Sequence, residues 1–274
     1  MFSLESRDKP VLKWAGGKSG VLEPLVTLFP AQFRRYSEPF LGAGAVFLAL
    51  RGDCPAILND SNGELMDLYR VLRDHPGRLM AALDKLGRKY SERFYYRLRG
   101  EVPSGVIGRA ARLVFLNKTG FNGLYRLNSK GEFNVPFGKR ANCPALYDRE
   151  NLLAVSQRLK AARLSCVDFE KVINEARKGD FVYCDPPYAP VSATSSFSAY
   201  TKSGFGVEDQ FRLRNACVRA AKRGVRVAVS NSNSRLIREL YRAWNLTKIP
   251  ARRAINSKVT ARGKVSEWCA TLGW

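Results

Sequence analysis

The segment Asp185-Pro186-Pro187-Tyr188 carries the side chains best suited to chemistry on a planar amino group. The Asp185 carboxylate accepts hydrogen bonds, and the carbonyl of Pro186 is a second acceptor. Prolines have a fixed φ and no N–H, so this carbonyl is held in place without a competing donor. Tyr188 adds a ring on which a base can stack, which is worth about 1–3 kcal/mol. The alternative interpretation of the four residues is a rigid surface turn.

Two acceptors beside an aromatic ring favour reaction at the exocyclic amino group of adenine. The lone pair of that nitrogen is delocalised into the ring, and acceptors bonded to its two protons localise it towards a methyl donor. Enzymes that modify a base within a duplex must extrude it. If the methyl donor is a sulfonium compound, the amino nitrogen can displace the methyl group directly, without a metal or a covalent intermediate. We therefore expect an enzyme in which Asp185, Pro186, Pro187 and Tyr188 are catalytic.

The histidine and cysteine content excludes several other classes of enzyme. His75 is the only histidine, and it is expected at an exposed helix end; the six cysteines form no C-x-x-C pair. A zinc deaminase needs clustered His and Cys ligands, and a serine hydrolase needs a catalytic His. The scattered cysteines are typical of reduced thiols in a cytosolic protein. No metal site is predicted.

The elements around the catalytic segment alternate between strand and helix, which predicts an α/β fold with a parallel sheet covered on both faces. Strands are expected at 36–38, 56–58, 181–184, 225–229 and 266–272, and helices at 42–50, 62–73, 207–223 and 234–243. Asp185 follows the apolar strand 181–184. Open α/β sheets bind their ligands at this carboxyl end of the strands.

A glycine loop, Glu38 to Gly44, follows the first strand and predicts a second half of the site. Gly42 and Gly44 allow a sharp turn and a close approach of a ligand. Phe47 stands where a dinucleotide-binding fingerprint requires glycine, which disfavours a nicotinamide enzyme. Asp60 ends the second strand and can accept hydrogen bonds from ribose hydroxyls. The alternative is an ordinary glycine loop with Asp60 as a helix N-cap.

The segment Gly16-Gly17-Lys18-Ser19 invites comparison with the phosphate-binding loop of nucleotide triphosphatases. That motif needs a glycine at position 12, where Leu12 stands, and it follows a strand, which is not evident here. The phosphate-loop interpretation is therefore disfavoured.

The charge predicts a polyanionic partner. The 274 residues contain 46 Lys and Arg against 24 Asp and Glu, a net charge of +22. An imbalance of this size favours nucleic acid, with the ribosome or an anionic membrane as alternatives. No apolar run reaches the roughly 20 residues of a membrane span. Residues 1–10 lack the apolar region of a signal peptide, so a cytoplasmic location without membrane association is expected.

Between the two halves of the α/β pattern lies a basic segment of different character. Residues 76–118 are predicted to be helical, and residues 121–138 to form a hairpin that turns at Asn128–Gly131. From Arg88 to Arg140 there are 12 basic residues and three acidic ones. We therefore expect a catalytic domain (1–62 and 148–274) with an inserted target-recognition domain (63–147).

These motifs together resemble the DNA adenine methyltransferase (Dam) family, in family order and over nearly the whole chain. The matching blocks are Leu12–Lys18, Glu38–Gly44, Asn117–Arg126 with Gly131–Gly138, and Asp185–Pro190 continued by Ser192-Ala193-Thr194. The resemblance implies a Rossmann-like methyltransferase sheet, S-adenosylmethionine as the methyl donor and double-stranded DNA as the substrate. No obligate protein partner is implied.

The resemblance also assigns individual residues. S-adenosylmethionine would be held by the glycine loop and by Trp14, Lys18, Phe40, Asp60 and Asp185. The family reads the palindrome GATC through its hairpin, which implies DNA contacts from Lys13, Phe121, Asn122, Leu124, Arg126 and Pro136. Phe121 would wedge into the base stack, Arg126 would read a guanine in the major groove, and Lys13 would contact the outer guanine.

Some features depart from the family or leave alternatives open. Cellular Dam enzymes carry tyrosine where Phe121 stands, and Lys118-Thr119 also differs, so the target is GATC or a closely related palindrome. The basic stretch 251–264 is either a phosphate-gripping loop or a solvated one. The sequence leaves three biological roles open: a solitary enzyme, the modification enzyme of a restriction system, or an enzyme carried by a phage. Two alternatives to a DNA adenine methyltransferase also stay open: a catalytically inactive DNA-binding protein on the same fold, and an RNA methyltransferase.

Overall fold

The computed structural model describes residues 8–50, 54–189, 204–252 and 264–274. Within them, strands and helices alternate along the chain. The strands are β1 (Tyr36–Glu38), β2 (Ala56–Asn59), β3 (Ala162–Ser165), β4 (Phe181–Cys184), β5 (Arg226–Ser232), β6 (Asn245–Arg252) and β7 (Lys264–Leu272). The helices are α1 (Leu22–Val26), α2 (Ala45–Ala49), α3 (Gly63–Asp74), α4 (Pro76–Gly87), α5 (Glu92–Gly100), α6 (Val106–Thr119), α7 (Arg149–Leu159), α8 (Phe169–Glu175), α9 (Val207–Lys222) and α10 (Arg235–Leu240).

The strands form one mixed sheet in the order β3-β2-β1-β4-β5-β7-β6. The first five are parallel, whereas β7 runs antiparallel between β5 and β6. From β1 the chain proceeds outward to β2, and from β4 it proceeds in the opposite direction to β5. The adjacent ends of β1 and β4 therefore flank a crevice at the point where the strand order reverses, and open α/β sheets bind ligands there.

The catalytic segment follows the most deeply buried strand. All four residues of β4 are fully buried, as expected for a parallel strand with helices on both faces. At its amino end, Asp180 pairs with Arg35 at 2.7 Å (Nη2 to Oδ2). Paired with β1 on one side and β5 on the other, β4 fixes where the backbone enters the crevice.

Helices α4 to α6 pack as an extension of the same core. One apolar cluster runs from the sheet residue Leu58 through Leu72 of α3 to Leu113 and Phe115 of α6. The buried guanidinium of Arg112 donates to the carbonyls of Leu98 (2.9 Å) and Arg99 (2.6 Å) at the end of α5. These carbonyls have no intrahelical partner, so the cation stabilises the helix terminus. Part of the positive charge of this segment therefore serves the fold.

The predicted strands and helices are confirmed, with ends that differ by a few residues. His75 is exposed at the junction of α3 and α4, also as expected. Strands β3 and β6 and helices α1, α7 and α8 were not predicted. The exposed positions of β3 (burial is confined to Ala162) remove the apolar signal by which a strand is recognised. The basic stretch 251–264 and the continuation Pro190 to Thr194 of the catalytic block lie almost entirely outside the described residues.

The predicted recognition hairpin (residues 121–138) reverses where predicted but is irregular. Gly131 N donates to Asn128 O at 3.0 Å and closes the turn. Cross-strand pairing is limited to isolated bridges, Gly120 to Phe137 and Leu127 to Phe133. A 3-10 turn at Phe121–Gly123 diverts the backbone, with Asn122 at φ 55°. The segment therefore presents a loop surface instead of a flat two-stranded ribbon.

Candidate active site

A cavity of 780 Å³ opens at the carboxyl ends of β1, β2 and β4. Its walls include the glycine loop, the catalytic segment and the turn before Lys18. Among the described residues that line it, the acidic side chains are Glu38, Asp60, Asp168, Asp185 and Asp209, and the single basic one is Lys18. Asp168 and Asp209 also pair with Arg212, and burial raises the pKa of Glu38 and Asp60. The excess of carboxyl groups over ammonium groups still suits a cationic ligand better than a phosphate-rich one.

Lys18 and Asp185 form a buried ion pair in this cavity. The distance from Lys18 Nζ to Asp185 Oδ2 is 2.7 Å, and Nζ also donates to the Gly16 carbonyl at 2.8 Å. The same ammonium lies 4.8 Å from the centroid of the Tyr188 ring. The Tyr188 hydroxyl donates to Glu267 Oε2 at 2.7 Å. Lys18 thus contacts a carboxylate and an aromatic ring, an arrangement different from a phosphate-binding loop.

One oxygen of the Asp185 carboxylate has no hydrogen-bond donor in the described part of the chain, although the side chain as a whole is 18% exposed. Its Oδ1 is buried and accepts no hydrogen bond from any residue that the structure describes. Burial raises the pKa of the carboxyl to about 6, although the Lys18 ammonium acts in the opposite direction. A buried acceptor without a donor is costly. A partly exposed carboxylate with one unpartnered oxygen suits a donor from outside the chain, such as an amino group.

Asp60 shapes the glycine loop as well as facing the cavity. Its Oδ2 accepts from Gly42 N and its Oδ1 from Asn62 N, both at 2.9 Å. Each carboxylate oxygen can accept a further hydrogen bond, so ribose hydroxyls remain possible partners. Gly42 has φ 49°, and a side chain there would lie 3.1 Å from Trp14 Cδ1. Only glycine therefore satisfies both the backbone and the close approach of Trp14.

Aromatic rings form the far wall of the cavity. Phe40 lies at centroid distances of 5.3 Å from Phe169 and 5.5 Å from Phe205. Behind them, the buried Asn59 amide donates to the carbonyls of Pro39 and Val167 at 3.0 Å, joining the loops after β1 and β3. Neither Phe169 nor Phe205 was predicted as a site residue. Phe169 follows the unpredicted strand β3, and Phe205 lies in no recognisable motif. The wall suits a planar ring such as adenine.

The predicted DNA contacts lie around the recognition hairpin. Asn117, buried on α6, bonds the Lys13 backbone twice (3.0 and 2.9 Å) and donates to Gly123 O at 2.8 Å. The Lys13 side chain packs against Gly123, where an added Cβ would meet its Cδ at 2.6 Å. Trp14 stacks on Tyr125 with centroids 4.8 Å apart. The segment before the cavity is thus fixed to the hairpin.

The remaining predicted DNA contacts share the loop surface. Phe121 is 50% exposed, and its N–H donates to the carbonyl of the exposed Pro136 at 2.9 Å. Arg126 donates from Nε to Asn134 Oδ1 at 2.7 Å and from Nη2 to Asn134 O at 3.1 Å. Asn122 is exposed and Leu124 is half-buried. A large exposed apolar ring beside a braced guanidinium is typical of a surface that binds a partner.

The structure brings the predicted residues into two groups. Trp14, Lys18, Phe40, Gly42 and Asp60 line the cavity together with Asp185 to Tyr188. Gly44 does not line it, because its Cα faces Tyr69 and Leu41. Lys13, Phe121, Asn122, Leu124, Arg126 and Pro136 lie on or beside the hairpin. Glu267 was missed because no motif surrounds it in β7. Within the described ranges, no group of three or more His, Cys, Asp or Glu side chains is placed to hold a metal ion.

The geometry of the site agrees with comparison to known proteins. The family model described as D12 class N6 adenine-specific DNA methyltransferase matches residues 14–255. The chain belongs to this family. It is therefore an adenine-specific DNA methyltransferase, as the catalytic segment and the resemblance to Dam predicted. No helix in the described ranges is long and apolar enough to span a membrane.

Relatives of this methyltransferase carry two kinds of name. It is 41% identical to the Type II methyltransferase M1.LlaDCHI of Lactococcus lactis subsp. cremoris, over 96% of this chain and 95% of that protein. It is 32% identical to the DNA adenine methylase of Vibrio cholerae, over 96% of both chains. A solved SAM-dependent methyltransferase from Agrobacterium tumefaciens aligns over 92% of this chain and 59% of that one, with 9% identity and a TM-score of 0.37. That likeness is too low to add to the assignment.

Proposed function

We propose that the protein transfers a methyl group from S-adenosylmethionine to the exocyclic amino nitrogen of a flipped adenine in double-stranded DNA. The observation that carries this proposal is that Asp185 and Pro186 line the cavity side by side, and that Asp185 Oδ1 has no donor among the described residues. Asp185 Oδ1 and the Pro186 carbonyl would each accept one amino proton. The lone pair then forms the new N–C bond as the methyl–sulfur bond breaks, and one amino proton leaves towards Asp185.

The cavity supports S-adenosylmethionine as the donor, which supplies an electrophilic methyl group on a positively charged sulfur. The acidic lining suits this cation, and the aromatic wall at Phe40 suits its adenine ring. Asp60 would bond the ribose. Gly42 and Gly44 of the glycine loop and Trp14, which packs against Gly42, would contact the molecule, and Lys18 would orient the Asp185 carboxylate towards the reacting atoms.

The pKa of Asp185 gives the reaction an expected pH dependence. The acceptor is the ionised carboxylate, and burial raises the pKa to about 6. As pH falls below about 6 the carboxylate becomes protonated, so we expect kcat/KM for S-adenosylmethionine to fall about tenfold per pH unit. Lys18→Met removes the cation that lowers this pKa and should move the decline to higher pH. Rates measured from pH 5 to 9 test this, and a flat profile down to pH 5 would contradict it.

The recognition hairpin is proposed to read the target, GATC or a closely related palindrome. Phe121 would insert into the base stack as adenine leaves it, Arg126 would bond a guanine in the major groove, and Lys13 would contact the outer guanine. Asn122, Leu124 and Pro136 would complete the reader. The exposure of Phe121 and the bracing of Arg126 by Asn134 support these roles.

The division into units and the biological setting are also proposals. Residues 1–62 and 148–274 would form the catalytic unit and residues 63–147 the target-recognition unit, acting on DNA in the cytoplasm without an obligate protein partner. The names Type II methyltransferase and DNA adenine methylase among the relatives correspond to a restriction-linked and a solitary role. A neighbouring endonuclease gene would indicate the former.

The direct test of the function is methylation of plasmid DNA with labelled S-adenosylmethionine, followed by mapping of the modified bases. We expect label in N6-methyladenine at one short palindrome, and none on RNA of the same sequence. Label on cytosine or RNA, or none on any DNA, would contradict the proposal. Because the hairpin and the cavity are separate groups, a different palindrome would revise the target and leave the chemistry intact.

A further inference from the structure

The two peptide carbonyls on either side of Tyr188 are held from behind by buried side chains of α9 and β5. Gln210 Nε2 donates to the Pro187 carbonyl at 3.0 Å. Ser232 Oγ donates to the Ala189 carbonyl at 2.6 Å, and Ala189 N donates to Asn231 Oδ1 at 3.2 Å. The backbone that carries the catalytic ring is therefore bonded on both sides of it to a neighbouring helix and strand.

These side chains form one continuous network. Asn231 Nδ2 donates to Gln210 Oε1 at 2.9 Å, and Asn231 Oδ1 also accepts from Ser232 N at 2.8 Å. Gln210 and Asn231 are each only 1% exposed. The Pro187 carbonyl can only accept, and the N–H groups of Ala189 and Ser232 can only donate. These backbone groups therefore fix which end of each side-chain amide is nitrogen and which is oxygen. The amide nitrogen and the amide oxygen of both side chains therefore each have a hydrogen-bond partner, as buried polar groups require.

The network selects which proline carbonyl of the motif is left for a substrate. The Pro187 oxygen is engaged by α9, whereas no donor in the described part of the chain contacts the Pro186 oxygen. Pro186 lines the cavity beside Asp185 Oδ1. An apolar pair at positions 210 and 231 would fill the same space without directing either carbonyl, since only a donor at position 210 can hold the Pro187 oxygen.

We propose that Gln210 and Asn231 are positioning residues for methyl transfer, acting through the Pro187 and Ala189 peptide groups. They hold the Pro187 carbonyl away from the cavity, so that the Pro186 carbonyl and the Tyr188 ring stay in the geometry that accepts the flipped base. The inference rests on the proposed function. It assigns to α9 and β5 a part in catalysis although neither side chain touches a reacting atom.

The test uses Gln210→Met, which conserves volume and removes the donor without adding charge. We expect the single-turnover rate of methyl transfer to fall on the order of 100-fold, since small displacements of reacting groups have effects of this size. Dissociation constants for S-adenosylmethionine and for DNA should stay within about twofold of wild type, because the network touches neither ligand. Gln157→Met makes the same change at an exposed position of α7 and should leave the rate unaltered.

A second variant, Asn231→Asp, keeps the acceptor for Ala189 N but loses the donor to Gln210. It should reproduce the loss of rate with binding retained. A wild-type rate in either folded variant would overturn the inference, as would losses of rate and ligand binding in equal measure. Unfolding of both variants would also overturn it, because the network would then be structural. Wild-type enzyme without activity on plasmid DNA refutes the proposed function itself, which separates the two failures.

Discussion

Asp185→Ala is expected to lower the rate of methyl transfer by at least about 1,000-fold, comparable with the loss of a preorganised hydrogen-bonding group at a reacting centre. The substitution removes the buried acceptor for an amino proton and leaves Lys18 without its partner at 2.7 Å. The amino lone pair would then stay delocalised in the adenine ring. Single-turnover transfer of labelled methyl groups to cognate DNA measures the effect.

Two variants separate the chemistry from stability. Asp185→Asn keeps an oxygen acceptor without the charge, so its rate should lie between those of wild type and Asp185→Ala. Asp180→Ala removes another buried carboxylate at the opposite end of β4, where it pairs with Arg35. It should lower the melting temperature and leave the rate of the folded enzyme near wild type. Methyl transfer by Asp185→Ala at the wild-type rate would refute the proposed mechanism.

Arg126→Ala is expected to reduce discrimination at one guanine by roughly 10- to 100-fold, since a bidentate contact to a base provides about 1–3 kcal/mol. In the structure Asn134 holds Nε and one Nη2 proton, which leaves Nη1 without a partner among the described residues. The guanidinium is therefore braced by Asn134 while Nη1 stays open to a further acceptor. The ratio of kcat/KM on cognate DNA to that on DNA with one altered base pair measures discrimination.

The matched control is Lys130→Ala, which removes one positive charge from the exposed turn of the same hairpin. A phosphate contact carries no sequence information, so any loss there should be equal on cognate and altered DNA and should weaken as salt increases. Equal losses on both DNAs for Arg126→Ala would show that Arg126 acts in the same non-specific way, and direct readout by this residue would be wrong.

Contiguous stretches of sequence were sufficient to predict much of this protein. The apolar run at 181–184, the glycine loop at Glu38–Gly44 and the turn at Asn128–Gly131 are local signals, and each lies where expected. The family could be inferred from the same blocks, and the match over residues 14–255 confirms it. The charge predicted a polyanionic substrate, although buried Arg112 shows that some basic residues of the inserted segment stabilise helices instead.

The contacts that organise the site depend on the order of the strands. Lys18 lies far from Asp185 in sequence, and only the packing of its turn against the sheet brings the two together. Glu267 reaches Tyr188 because β7 pairs with β5, which in turn pairs with β4. Residue types in a single segment indicate a strand, but they do not specify its neighbours, since pairing is decided by packing between distant segments.

The sequence by itself therefore determined the family and the reaction class. It also predicted the catalytic tetrapeptide Asp185–Tyr188 and a separate target-recognition segment, and both remain predictions. The tertiary structure alone decided that carboxyl groups outnumber ammonium groups among the described residues of the cavity, and that no donor among the described residues contacts Asp185 Oδ1. It also decided that Gln210 and Asn231 support the motif from behind. The physical reason is that chemical type is a property of a residue, whereas burial and partnership are properties of the segments packed around it.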